Sequence, residues 1–213
     1  MVWFTSARSR EKHRMNRRMV VLGTAMAGMV MMSAQWSVAR AAEHPAITFT
    51  REVANDLLTA NRTGTITSFA RVLRRHADIP GISNYSLGNY RNLLPRSQSQ
   101  RYYDGVTAFM ARYFADQTRN YRAAKADVLD AKKAGSDIAV NTLVTMLTGE
   151  KYTVQFLLRP ARKSFKITDV KVSVPVLGFV SLTYQQRGIF QKFLVKKGGD
   201  QSAVNQLVET LNR

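Results

Sequence analysis

Between residues 46 and 114 apolar positions recur every three or four residues, and between 124 and 174 they recur every second residue. The first spacing paints one face of an α-helix and the second one face of a strand. Ala46–Ala60 places Ile47, Val53, Leu57 and Leu58 at helical spacing, and Asn61–Gly64 breaks the pattern. Thr65–His76 groups Ile66, Phe69, Val72 and Leu73 on one side and Arg71, Arg74 and Arg75 on the other. The strongest stripe is Tyr102, Tyr103, Val106, Phe109, Met110, Tyr113 and Phe114. It follows Ser97 and Gln100, whose spacing predicts a capping box that satisfies two free amide donors.

After Arg122 the period shortens. Ala124–Lys132, Ile138–Leu147, Lys151–Arg159 and Ser164–Val174 read as four strands of an antiparallel meander, with Gly149-Glu150 at one turn. Pairing Met146 with Tyr152 puts Val140, Thr142, Val144 and Met146 on the same face as Tyr152, Val154, Phe156 and Leu158. The other face carries Asn141, Thr153, Gln155 and Arg159. The apolar phase slips between Ile167 and Val170, which predicts a β-bulge near Asp169. Beyond a turn at Pro175 comes a long apolar-faced helix that includes Val180 and Phe190. A stop at Gly198-Gly199 and a closing helix follow. The order of elements predicts an α+β fold: a twisted four-stranded, or slightly larger, antiparallel sheet covered on one face by amphipathic helices.

The first 41 residues read differently. Arg8, Arg10, Lys12, Arg14, Arg17 and Arg18 precede an apolar run from Met19 to Met32, too short to span a bilayer about 30 Å thick. Ala39-Arg40-Ala41 then offers a small-x-small cleavage site, so residues 1–41 are expected to be a secretory signal peptide. Residues 42–213 are expected to form one exported domain. Removing the leader leaves 25 Lys/Arg against 13 Asp/Glu, a net charge of +12. Such a surface favours anionic partners. With no cysteine, neither a disulfide frame nor thiol chemistry is available.

Candidate catalytic groups are sparse. Past the leader the histidines are His44, expected in a flexible tail, and His76, at the end of a basic helix. Asp127 and Asp130 are expected on opposite faces of their strand, where they cannot cooperate as acid and base. Asp169, alone in an apolar strand, suits either an ion pair with Arg187 or a cap on nearby backbone. No metal-ligand spacing and no phosphate-binding glycine loop is recognisable. Arg71, Arg74, Arg75, Lys192, Lys196 and Lys197 form basic helix faces, either simply solvated or used for docking. Nucleic acid is disfavoured, because the aromatic residues fall on the buried stripes rather than between the basic ones.

Three blocks carry a family resemblance. Phe165, Lys166, Ile167, Asp169 and Val170 lead to Ser181, Leu182, Tyr184, Arg187, Phe190 and Gly198; Asp78, Ile82, Leu87, Gly88 and Tyr90 form a second block; Gln100-Arg101 with Tyr102 or Tyr103 forms a third. Together they resemble the MlaC family of periplasmic phospholipid carriers, also known as toluene-tolerance auxiliary components of an ABC transporter. Arg91 departs from the pattern, which has an aromatic residue there. The resemblance implies a periplasmic, monomeric, non-enzymatic carrier without a cofactor. It would shuttle phospholipid between an outer-membrane lipoprotein–porin complex and an inner-membrane MCE-domain ABC transporter. The implied lipid-sized cavity would be lined by Phe109, Tyr113, Val140, Val144, Val154, Phe156, Leu158, Val180 and Phe190. Another lipid such as a hopanoid, a small periplasmic enzyme, and an adaptor with a filled core remain alternatives, since a core stripe and a pocket lining have the same composition.

Overall fold

Residues 43–213, described by a computed structural model, place helices before and after an antiparallel sheet. The expected leader lies outside the described residues. Helices α1 (Pro45–Thr63), α2 (Ile66–His76) and α3 (Ile79–Leu87) lead through two 3₁₀ turns to α4 (Ser99–Gln117). Strands β1 (Ala123–Ala134), β2 (Asp137–Met146), β3 (Lys151–Ala161), β4 (Ser164–Val174) and β5 (Gly178–Ser181) follow, then α5 (Leu182–Lys196) and α6 (Gln201–Leu211).

Polar side chains start most of the helices by accepting amide protons left free in the first turn. Thr65, Asp78, Ser181 and Asp200 do so for α2, α3, α5 and α6. His44, expected in a flexible tail, instead caps α1: its Nδ1 accepts from the Ala46 amide at 3.1 Å, with Pro45 in the first turn. The expected capping box does not form. Ser97 lies within a 3₁₀ turn, α4 begins at Ser99 without a side-chain cap, and Gln100 turns outward to Asp104.

The sheet runs β1-β2-β3-β4-β5, each neighbour antiparallel. The fifth strand is an addition to the expected four, and Val180 therefore sits on β5, opposite Val172, and not on a helix. In β2–β3 the observed partner of Tyr152 is Val144, not Met146. The loop Leu147–Glu150, closed by Gly149 at φ +89°, takes up the difference. A shift of two residues leaves every side chain on its expected face. The slip in β4 is a bulge: Leu157 pairs with Asp169 and Leu158 with Ile167, leaving Thr168 extra. In β1, Leu129 is extra between Val128 and Asp130, and this bulge overturns one expectation. Asp127 pairs with Leu143 and Asp130 with Asn141, so the two carboxylates share a face.

One face of the sheet is apolar and packs beneath α1, where Val140, Phe156, Leu158 and Ile167 meet Ala46 and Val53. A second cluster joins α3, α4, α5 and α6 through Leu87, Tyr102, Val106, Phe190, Leu194 and Leu207. The Tyr102 hydroxyl ties this cluster together by donating to the Ser83 carbonyl at 3.0 Å. Burial pushes this phenol's pKa far up, so it stays protonated as a donor. On the opposite face a polar ladder crosses three strands. Gln155 donates to Asn141 and Asn141 to Asp130, each at 3.0 Å.

Asp137, at the start of β2, is pinned by Arg159 Nε at 3.0 Å and by the Thr168 hydroxyl at 2.8 Å. Burial pushes its pKa up, but the hydrogen bonds from Arg159 and Thr168 outweigh this and hold it below the ordinary value. A carboxylate whose pKa is depressed by folding stabilises above its unfolded pKa, about 3.9, and loses that contribution as pH falls through the folded value. Asp137→Asn should therefore cost about 1 kcal/mol at neutral pH and flatten the acid limb of a melting-temperature profile. A profile parallel to the parent's would show that Asp137 takes no part in acid unfolding. Thr142 presents the opposite case: fully buried on the apolar face, its hydroxyl finds no partner among the described residues. Thr142→Val should stabilise by about 1 kcal/mol, read by denaturant titration.

Candidate functional site

The sheet's register assembles the candidate lining in transverse rows. Val128, Thr142, Val154, Val172 and Val180 are paired successively across all five strands. A neighbouring row runs Ala131, Val140, Phe156, Val170, and another holds Val144 opposite Tyr152. Val140, Phe156 and Leu158 are buried under α1, whereas Val144, Val154, Val172 and Val180 are only half-buried. Apart from Thr142, which is fully buried between Val128 and Val154, the apolar face thus has a covered inner tier and a half-open outer tier.

The nine residues expected to line one cavity do not form one cluster. Phe109 and Phe190 meet edge to face at 5.3 Å within the helical core. Val140, Val154, Phe156 and Leu158 belong to the sheet core with α1. Tyr113 is 44% exposed and packs on Phe114. Periodicity identified which faces are buried, but not which faces they are buried against. The two cores remain distinct because α1 crosses the strands while α4, α5 and α6 close on one another.

Among the described residues, surface clefts open elsewhere, and two of them are lined by none of the nine residues. One of about 200 Å³ lies between the end of α4 and the β2–β3 turn. The other, about 680 Å³, lies between α3, the 3₁₀ turn after it, and α5. Arg187 lines this larger cleft and does not pair with Asp169. Asp169 serves as a backbone cap: its Oδ1 accepts from Val170 N at 2.8 Å and from Thr183 N at 3.1 Å, tying the bulge in β4 to the first turn of α5.

Among the basic candidates, Arg71, Arg74, Lys192, Lys196 and Lys197 are exposed and take part in no ion pair among the described residues. Arg75 is different, since it is held by Glu52 and by Asp56 on α1. His76 is 3% exposed, contacts Asp56 Oδ2 at 2.8 Å through Nε2 and sits edge-on to Phe49. Glu52, Asp56 and His76 thereby converge within metal-ligand range, a grouping that sequence spacing did not show because it joins two helices. The Arg75 guanidinium already supplies its counter-charge, so the group acts as a clamp between α1 and α2.

The fold defines the class: an α+β domain in which helices cover the apolar face of an open antiparallel meander. The chain belongs to the MlaC family, whose profile, described as MlaC protein, matches residues 49–212. It is also similar in fold to the phospholipid-binding protein of Ralstonia solanacearum solved in complex with a phospholipid. That similarity has a TM-score of 0.65 at 17% identity and covers 79% of this chain and 97% of the other. Comparison with curated protein sequences gives no significant match.

Proposed function

We propose that the exported domain is a periplasmic phospholipid carrier. It would take glycerophospholipid from one membrane complex and deliver it to another, between an outer-membrane lipoprotein–porin complex and an inner-membrane MCE-type ABC transporter. The observation that carries this reading is the half-open apolar tier of the sheet, in a chain of the MlaC family. The phospholipid held by the Ralstonia solanacearum protein supports the choice of ligand.

The energetics suit the task. Each methylene left in water costs about 0.8 kcal/mol, so a carrier must enclose roughly thirty methylenes for two acyl chains. Two smaller clusters lie between the sheet core and the helical core, sharing Leu57 with the first and Tyr103 and Met110 with the second, so a seam would open by loosening these smaller clusters. Val144, Val154 and Val180 would form the floor of that seam, and Phe109, Tyr113 and Phe190 its roof. Binding of this kind is apolar and needs neither nucleophile nor cofactor.

Native mass spectrometry of the exported protein, purified in mild buffer, tests the reading. A co-purifying diacyl glycerophospholipid is the expected result. A polycyclic lipid would keep the carrier role and change the cargo. A lipid-free protein that also fails to take phospholipid from vesicles would refute the proposal in favour of a filled-core adaptor.

A further inference from the structure

The 680 Å³ cleft gathers amide, phenol and guanidinium side chains over a partly apolar wall, whereas the lipid tier presents aliphatic side chains. Asn84, Tyr85, Asn89, Arg91, Asn92 and Arg187 line it, with two guanidinium groups and no carboxylate. Arg187 is half-buried, and among the described residues neither it nor Arg91 has an ion-pair partner or a hydrogen-bond acceptor.

Arg187 is nevertheless held in place. Its Cζ lies 4.9 Å over the centre of the Tyr85 ring, a cation–π contact that favours this position of the side chain. Gly88 makes room for it from below. With φ +56° and ψ −122° it occupies backbone space that favours glycine, and a Cβ there would stand 2.9 Å from Arg187 Nη2. The Leu87 carbonyl at the end of α3 takes its donor from another side chain of α5. Gln191 Nε2 donates to the Leu87 carbonyl at 2.7 Å. An oriented guanidinium with unspent donors, beside a second arginine and three side-chain amides, is suited to a tetrahedral oxyanion.

We propose that this cleft is a phosphate-binding site, taking either the phosphodiester of a phospholipid head group or free phosphate. It stands on residues separate from the acyl-chain lining, so the carrier reading and this site succeed or fail independently. A planar fork favours a group that can accept two parallel N–H bonds, and the open mouth leaves space for substituents on the phosphate.

The test is a ¹⁵N NMR titration of the lipid-free exported chain with inorganic phosphate, and separately with a short-chain phosphatidylglycerol below its micelle concentration. Saturable shifts at the amides of residues 84–92 and at Arg187 Nε are expected. Arg187→Gln and Arg91→Gln should each weaken binding about tenfold. Arg91→Gln, at an exposed position, keeps the test open should Arg187→Gln fold poorly. Shifts from both probes identify a head-group site, and shifts from phosphate alone a free-phosphate site; either supports the proposal. A flat titration, or shifts of equal affinity in both variants, overturns it. So does a tetraglutamate peptide that shifts these resonances when phosphate does not, since the cleft would then be a peptide site.

Discussion

Phe156→Asp should leave the protein without a cooperative melt. Phe156 is 4% exposed in the central strand, flanked by Val140 and Val170 and roofed by α1. Deleting the ring costs about 3–5 kcal/mol and stranding a carboxylate in its place adds several more, against a total stability of about 5–15 kcal/mol. Val154→Asp lies two residues away on the same face but in the half-open tier. There the new carboxylate can reach water, so the fold should survive while the lipid is lost. Circular dichroism melts combined with native mass spectrometry separate the two effects. A folded Val154→Asp protein that still carries a full complement of phospholipid would remove that tier from the binding site.

Reversing Lys192, Lys196 and Lys197 to glutamate should slow association with acidic partners by about ten- to a hundredfold at low salt, with the difference shrinking as salt rises. Lys192 is exposed one turn before the C-terminal end of α5 and Lys196 and Lys197 are exposed at that end, and the substitutions lower the charge of residues 42–213 from +12 to +6. Lipid occupancy should not change. Stability should fall modestly, because cations near a helix C-terminus contribute about 0.3–1 kcal/mol each. Association rates measured against a reconstituted partner complex over a salt series check this. A variant that lost its lipid yet docked at the parental rate would reverse the proposed division between burial and charge.

The features legible in the sequence were those set by local periodicity. The stripes on α2 and α4 and the alternation in β2 and β3 declare their buried faces, and a phase slip was enough to locate the bulge beside Asp169. Features that depend on distant chain stayed hidden. Four residues of β5 are too few to show a period, and only the pairing of Val172 with Val180 makes them a strand. Ser97 and Gln100 carry capping-box spacing, but the 3₁₀ turn following Pro95 moves the helix start past Ser97, to Ser99. Pro45 did mark the start of α1, a signal that would have placed His44 as its cap. For the site, alternation selected the sheet rows correctly by face, while the split between two cores depends on where α1 crosses the strands.

An open sheet has two borders, and the longer one here is β1. Its outer side presents unpaired backbone groups that could seed pairing with another chain. Two bulges, at Ala124 and Leu129, break the regular spacing that an incoming strand would need, while Lys125, Lys132 and Lys133 place charge along the same border. These devices defend against polymerisation. A domain without disulfides, proposed to open repeatedly to exchange an apolar cargo, exposes sticky surface each time. Its border is built so that such exposure does not propagate into cross-β assembly between copies.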